Sequence, residues 1–131
     1  MEPIITHKQE RELDARIAEK VMQEKILWAD NKPYVASNHD AAARSENLVP
    51  NYCTSMGAAM MVAMQLRRLG FTIDILMDER GTTLTVMQDS GEEIARFENI
   101  ITKFAQYMCH AALIAVGEER RKGEDRRKAR G

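Results

Sequence analysis

A run of polar and aromatic residues precedes a strongly patterned helix in the middle of the 131-residue sequence. The helical segment "MGAAMMVAMQLRRL" follows directly after Asn51, Tyr52, Thr54 and Ser55. A helix start has unpaired backbone N–H groups and the positive end of the helix dipole, and both favour an anion there. Either these residues only cap the helix and fill the core, or the cap is also a ligand site.

The stretch from residue 28 to residue 55 contains the other groups that a nucleotide requires, namely stacking surfaces and hydrogen-bond donors. Arg67 is a further candidate for a phosphate contact, although a cation is favoured in the last turn of a helix in any case. The predicted ligand-binding residues are Trp28, Tyr34, Arg44, Asn51, Tyr52, Thr54, Ser55 and Arg67.

Sequence motifs for catalysis are missing. The chain has no HExxH, CxxC, GxSxG or Gly-rich phosphate loop. Cys109 and His110 are neighbours on a predicted helix, where their side chains diverge by about 100° and cannot hold one metal together. A metal site from Cys53 and His39 is conceivable, but nothing in their spacing favours it. We therefore expect a protein that is not an enzyme and that carries no cofactor or metal.

Composition indicates one soluble globular domain. A hydrophobic fraction of 44% and a charged fraction of 30% are ordinary for such a chain, whose length suits a single core. No apolar run approaches the roughly 20 residues of a membrane span, and no apolar signal region opens the sequence. Two cysteines are too few for a disulfide framework and fit a reducing compartment. The expected location is therefore intracellular.

Charge is distributed unevenly along the chain. The net charge is −1, but residues 118–131 alone have a balance of +3, which leaves −4 on residues 1–117. That body lacks the basic face of a duplex-DNA binder. We predict a single α+β domain over residues 1–117 and a charged tail or helix extension over residues 118–131. Such a mixed-charge run is usually a solvated helix end, and contact with nucleic acid or an acidic surface is the alternative.

The first half of the chain predicts one helix and a long loop. Thr6 and Gln9 have the spacing of a capping box, and apolar residues at four-residue steps continue the helix to about Glu24. No period holds from residue 28 to residue 51, where we predict a long loop with room for one short strand. Loops of this length are uncommon in small domains and are usually functional or disordered.

The second half predicts a helix, a strand meander and a final helix. A helix over residues 56–69 ends at Gly70, which suits a left-handed cap. The apolar period then changes to two over residues 71–78, and "DERG" and "DSG" mark turns to second and third strands. We predict a long C-terminal helix that runs past Gly117 into the tail. The fold class is α+β, with a three- to four-stranded antiparallel sheet and about three helices.

Three blocks of the sequence resemble the phage ABA sandwich domain family, whose members are small proteins encoded by bacteriophages and prophages. The blocks are "ELDARIAEKVM", "VPNYCTSMGAAMMVAMQLRRLGF" and "AQYMCHAALIAVGE", which occur in the family's order between Glu12 and Glu118. Trp28 corresponds to a family Trp after the first helix. The step from Pro50 to Ser55 corresponds to a Pro-Tyr-Ser/Thr step before the second helix.

The resemblance implies a function in phage infection. Most such proteins have no assigned function, while some small phage proteins sequester cyclic nucleotide signals of host immunity. The implied function is a non-enzymatic anti-defence protein in the host cytoplasm. It would bind a cyclic di- or trinucleotide, such as the cyclic dinucleotides of CBASS immunity, without cleaving it. The alternative is a protein-interaction module that inhibits a host defence protein or assists phage assembly.

A row of methionines on the second predicted helix bears on assembly. Met56, Met60 and Met64 lie mostly off the apolar stripe that faces the core. Methionine is common on adaptable contact surfaces, and an apolar strip in water usually marks an interface. We therefore predict a homodimer or homotetramer in which the second helix contributes to the contact. The alternative is that the row packs as secondary core against the sheet or the first helix.

Overall fold

A computed structural model describes residues 6–36 and 48–118 of the chain. Its three helices are α1 (His7–Lys20), α2 (Met56–Arg68) and α3 (Phe104–Ala115). Its strands are β1 (Ile26–Ala29), β2 (Lys32–Val35), β3 (Phe71–Asp78), β4 (Gly81–Gln88) and β5 (Glu93–Ile100). The predicted α+β class is therefore confirmed.

The strands form two separate antiparallel sheets. The predicted meander is present as a three-stranded sheet with the order β3-β4-β5. The prediction of a single three- to four-stranded sheet was wrong, because β1 and β2 pair with each other in a second sheet. Between them, Asp30 and Asn31 take positive φ angles of 52° and 62°. Two consecutive residues of that kind give the tight turn that suits a two-residue hairpin.

The two outer helices are shorter than their sequence patterns predicted. α1 ends at Lys20 and not near Glu24, because the chain turns at Gln23, whose φ is 61°. α3 has 12 residues, so the described part of the chain has no long C-terminal helix. The N–H of Glu118 bonds to the Leu113 carbonyl and that of Gly117 to the Ile114 carbonyl, with a φ of 85° at Gly117. This is the Schellman arrangement that ends a helix.

The core lies between one face of the three-stranded sheet and the helices α2 and α3. Leu84 and Val86 on β4 are fully buried on that face, and α2 and α3 also pack against each other. α1 packs against α3 and against the β1–β2 hairpin. α3 is consequently surrounded, and most of its residues from Ala105 to Leu113 are buried. α1 and α3 therefore lie between the hairpin and the three-stranded sheet.

None of the helices in residues 6–36 and 48–118 has the length and apolar character that crossing a membrane requires. The predicted tail begins at residue 118, and its residues 119–131 lie outside the described part of the chain.

Candidate ligand-binding groove

The start of α1 is held by a complete capping box. The Thr6 hydroxyl oxygen accepts the Gln9 backbone N–H at 3.1 Å, and the Gln9 side-chain oxygen accepts the Thr6 backbone N–H at 2.8 Å. Two of the N–H groups that a helix start leaves unpaired are thereby satisfied. The sequence predicted this cap, which fixes the first turn of α1, where His7 and Lys8 lie.

A buried polar cluster fixes residues 49–53 against α1. The Arg11 guanidinium donates to the Asp14 carboxylate at 2.7 Å, to the Val49 carbonyl at 2.7 Å and to the Asn51 side-chain oxygen. The Asp14 carboxylate also accepts the backbone N–H of Cys53 at 2.8 Å. We call these five residues the Arg11–Asp14 clamp. It joins positions about 40 residues apart in the sequence and places Asn51 beside the first turns of α1.

Burial governs the ionisation of the acidic groups in the clamp. Burial raises the pKa of Asp14, and the Cys53 hydrogen bonds and the Arg11 charge only partly oppose it. Burial and the neighbouring Asp14 carboxylate together raise the pKa of the Cys53 thiol well above its ordinary value. The thiol therefore stays protonated at neutral pH, where it is a poor nucleophile and a poor metal ligand.

A groove of about 1140 Å³ opens between the start of α1 and the turn of the β1–β2 hairpin. Pockets for small ligands typically have volumes of about 300–1,000 Å³, so this groove has room for a ligand of at least that class. We call it the α1 groove. Its lining residues are His7, Lys8, Arg11, Glu12, Trp28, Ala29, Asp30, Asn31, Lys32, Leu48 and Asn51.

Trp28 is the aromatic side chain in the lining of the α1 groove. Its strand partner in the hairpin is Pro33, which is buried, while Trp28 itself remains 51% exposed. An indole ring in that position offers a flat face on which a planar ring can stack. Because Trp28 lies on a paired strand, the hairpin holds its ring in place in the groove.

Charged groups of both signs line the α1 groove together with Trp28. Lys8 and Lys32 bring positive charge from α1 and from the hairpin, whereas Glu12 and Asp30 bring carboxylates. The first residues of α1 add the positive end of the helix dipole. Asn51 adds a polar amide whose oxygen is already bonded to Arg11. The α1 groove can thus receive an anionic group and also bind hydrogen-bond donors.

The structure gathers two of the predicted site residues in the groove, Trp28 and Asn51. Tyr34 lies on β2 opposite Leu27 and bridges to Leu48, and it does not line the groove. Tyr52 is only 2% exposed, and its burial raises the pKa of its hydroxyl to about 12. The Tyr52 ring is therefore part of the core, so we leave it out of the candidate site.

The remaining predicted residues lie elsewhere or are not described. Ser55 caps α2 by accepting the Ala58 backbone N–H at 3.4 Å, and Thr54 is exposed in the turn before it. Neither residue lines the α1 groove. Arg67 is exposed in the last turn of α2, also outside the lining. Arg44 and His39 lie outside the described residues.

The sequence reading missed the groove residues that come from α1 and from the hairpin turn. His7, Lys8 and Lys32 are ordinary surface residues in the sequence, and no motif distinguishes them. A signal for the turn was present in the adjacent Asp30 and Asn31, because these residue types tolerate positive φ. The long loop predicted from residue 28 therefore contains a hairpin turn at Asp30 and Asn31.

Among residues 6–36 and 48–118, no three His, Cys, Asp or Glu side chains come close enough to hold a metal ion.

Comparisons with known proteins returned no similarity on which an identity can be based. No protein-family model matches the chain. No curated protein matches it. No solved structure matches it either. The resemblance to phage ABA sandwich proteins therefore stays a prediction from the sequence.

Proposed function

We propose that the α1 groove binds a ligand with a planar base and a phosphate, and that the protein sequesters a cyclic nucleotide immune signal during phage infection. The observation that carries the proposal is the half-exposed Trp28 ring inside a groove that also contains Lys8 and Lys32. The ligand class follows from these groups. The narrower choice of a cyclic nucleotide follows from the resemblance of the sequence to phage proteins.

Each part of such a ligand has a counterpart in the α1 groove. A base stacked on Trp28 contributes about 1–3 kcal/mol to binding. A phosphate near Lys8 and Lys32 gains charge-assisted hydrogen bonds of about 1.5–3 kcal/mol. Glu12 and Asp30 can accept hydrogen bonds from the amino group of a base or from sugar hydroxyls. A ligand without a base or without an anionic group would leave part of this lining unused.

The proposed function is binding without cleavage. The sequence contains no catalytic motif, and the raised pKa of Cys53 keeps its thiol protonated. A sequestering protein needs affinity and abundance, but it requires no general base or metal. The proposal therefore predicts that the bound nucleotide is recovered chemically unchanged.

Trp28 is the single tryptophan of the chain, so its fluorescence reports directly on the α1 groove. The purified protein is titrated with a panel of cyclic di- and trinucleotides, and quenching of the Trp28 emission measures binding. Calorimetry then compares the protein with the variant Trp28→Ala, which we expect to bind about tenfold or more weakly. Leu27→Ala is the matched control, because Leu27 is exposed on the other face of the same strand.

The outcomes separate the candidate functions. Tight binding with intact nucleotide recovered after denaturation supports a sequestering protein, whereas a cleaved product identifies an enzyme. No binding by any of the nucleotides, or equal loss in Trp28→Ala and Leu27→Ala, contradicts the proposed site. In that case capture of a host polypeptide would support the alternative, an interaction module that inhibits a defence protein or assists phage assembly.

We also propose that the protein is a homodimer or homotetramer to which α2 contributes. The methionines on its outer surface support this, since Met56, Met60, Met61 and Met64 are all exposed. Contiguous exposed apolar side chains usually mark an interface. The helix α2 does not line the α1 groove, so assembly and ligand binding are separate proposals.

A further inference from the structure

The two edges of the three-stranded sheet differ in how they are protected against pairing with another strand. At one edge, β5 carries the ion pairs of Arg96 with Glu93 and Glu98, and its pairing with β4 has two register irregularities. Charged residues and bulges are common ways to block an edge. At the other edge, β3 pairs with β4 in continuous register and contains neither proline nor lysine. No strand among the described residues covers its outer side.

β3 is also unusually apolar for an exposed edge. In its second half, Leu76 is 59% exposed and Met77 is 77% exposed, and Ile75 is exposed as well. Asp78 is the only charged residue in this half, and Asp74 comes directly before Ile75. A long, flat and apolar edge strand offers unpaired backbone groups to another strand. The sequence of β3 therefore favours a partner strand that has no carboxylate directly opposite Asp74 or Asp78.

We propose that β3 pairs edge to edge and antiparallel with β3 of a second copy, with Ile75 opposite Ile75 at the two-fold axis. The pairing joins two three-stranded sheets into one six-stranded sheet and leaves the helix-covered faces on the same side. This inference does not depend on the proposed ligand, because the α1 groove is built by α1, the β1–β2 hairpin and the segment around residues 48–51.

The charges on β3 select this register. Ile73 and Ile75 face the helices, because they pair with the buried Val86 and Leu84 of β4. Side chains alternate between the two faces along a strand. If the helix-covered faces of both copies are to lie on the same side of the joined sheet, odd-numbered residues must therefore be opposite odd-numbered residues. Two registers of greatest overlap remain, one over residues 71–77 centred on Asp74 and one over residues 72–78 centred on Ile75.

Only one of these two registers avoids contact between like charges. The register centred on Asp74 places that carboxylate directly opposite its own copy, which is destabilising. The register centred on Ile75 places Asp74 opposite Leu76 and Asp78 opposite Thr72. Charge repulsion therefore disfavours the register centred on Asp74 and leaves the register centred on Ile75.

The exposed flank of α2 adds to the same surface. On the helix, Met56 and Met60 lie on the side roughly opposite Gln65, given the 100° step between successive residues. The Gln65 side-chain amide donates to the Val21 carbonyl at the end of α1 at 3.2 Å, so that side of α2 faces α1. The methionine side therefore faces away from α1, and α2 packs over β3. Two-fold pairing of β3 would place the α2 helices of both copies on the same face of the joined sheet.

The size of this surface sets the strength of the expected dimer. β3 is about 26 Å long and, with the flank of α2 above it, forms a strip about 20 Å high. That strip is on the order of 500 Å² per copy, below the about 800 Å² per partner of a standard specific interface. We therefore expect a dimer that dissociates at micromolar concentrations, which analytical ultracentrifugation over a concentration series can measure.

Disulfide trapping tests the register. Residues directly opposite each other in an antiparallel pair have Cα atoms about 4.5–5.5 Å apart, within the range for a disulfide. Position 74 or 76 and its own copy are about 8 Å apart in the proposed register, beyond the limit of about 7 Å. Ile75→Cys should therefore form a covalent dimer under mild oxidant at least tenfold faster than Leu76→Cys, a control that keeps both carboxylates of β3 in place. The native Cys53 and Cys109 are buried, and the unsubstituted protein measures their background.

A charge pair at position 76 tests the same register without any covalent bond. Leu76 is opposite Asp74 of the second copy, so Leu76→Lys places opposite charges together and Leu76→Asp places like charges together. We expect the dimer of Leu76→Lys to be about tenfold tighter than that of Leu76→Asp. Thermal melting of dilute samples shows that both variants fold, which the exposure of Leu76 favours.

The outcomes leave no neutral result. A protein that stays monomeric up to high micromolar concentration contradicts the pairing altogether. Trapping of Ile75→Cys no faster than that of Leu76→Cys contradicts the register centred on Ile75, and a difference below about threefold between Leu76→Lys and Leu76→Asp shows that position 76 does not face Asp74. None of these results affects the ligand proposal, which the Trp28 titration tests separately.

Discussion

Removal of the Asp14 carboxylate is expected to destabilise the protein strongly. Asp14 is 1% exposed and accepts two hydrogen bonds, from Arg11 at 2.7 Å and from the Cys53 backbone N–H at 2.8 Å. In Asp14→Ala, the buried Arg11 charge loses its counter-ion, and the Cys53 N–H loses its acceptor. Breaking a buried pair in this way costs about 3–5 kcal/mol.

The lower part of that range is the better expectation for Asp14→Ala. Arg11 keeps its bonds to the Val49 carbonyl and to the Asn51 side chain, so its guanidinium is not left without acceptors. We therefore expect a loss of about 3 kcal/mol in the free energy of unfolding, from a total of about 5–15 kcal/mol for a domain of this kind. Because the clamp holds Asn51 in the α1 groove, ligand binding should weaken in the same variant.

Urea denaturation at neutral pH measures this loss, provided that the slope of unfolding against urea is unchanged. Glu93→Ala is the matched control, because it removes a carboxylate that pairs with Arg96 at 3.0 Å on the exposed surface. Exposed pairs contribute about 0–1 kcal/mol. A loss below about 1 kcal/mol in Asp14→Ala, no larger than the control, would refute the reasoning that the clamp carries buried charge.

The partner variant Arg11→Met adds a dependence on pH. Burial raises the folded-state pKa of Asp14 above its ordinary 3.8, so the folded protein holds this proton more tightly than the unfolded chain. The resulting contribution to stability is fully present below pH 3.8 and is lost as the pH rises through the raised pKa. Arg11→Met removes one of the groups that lower this pKa. It should therefore destabilise the protein more at pH 7 than at pH 4, and equal losses would contradict the assignment.

Two further substitutions test the packing around α3 and the sheet. Gln106 is 2% exposed, and its side-chain N–H₂ group has no hydrogen-bond partner among the described residues. Gln106→Met should therefore raise the stability by up to about 1 kcal/mol, which urea denaturation would show as a higher midpoint. Gly81 has a φ of 136°, and a Cβ there would lie 2.9 Å from the Ile100 carbonyl oxygen. Gly81→Ala should lower the stability by about 1–3 kcal/mol, and an unchanged melting temperature would contradict this.

Features that depend on neighbouring residues could be predicted from the sequence. The capping box of Thr6 and Gln9, the Ser55 cap of α2 and the meander from β3 to β5 were all predictable, because caps, periodicity and turns are local. The signal for the end of α3 was also local. Gly117 is the Schellman glycine that follows α3, although the charged residues after it predict that the helix continues.

Which residues share a site depends on contacts between distant segments of the chain. The sequence predicted Trp28 and Tyr52 equally as stacking surfaces, yet Tyr52 is in the core and Trp28 is half exposed in the α1 groove. Exposure depends on what packs against a side chain, and for Tyr52 that includes segments far away in the sequence. In the same way, Lys8 and Asn51 come together because Arg11 and its buried partners join the start of α1 to the segment before α2. Local patterns contain no information about such a contact, since its partners are about 40 residues apart.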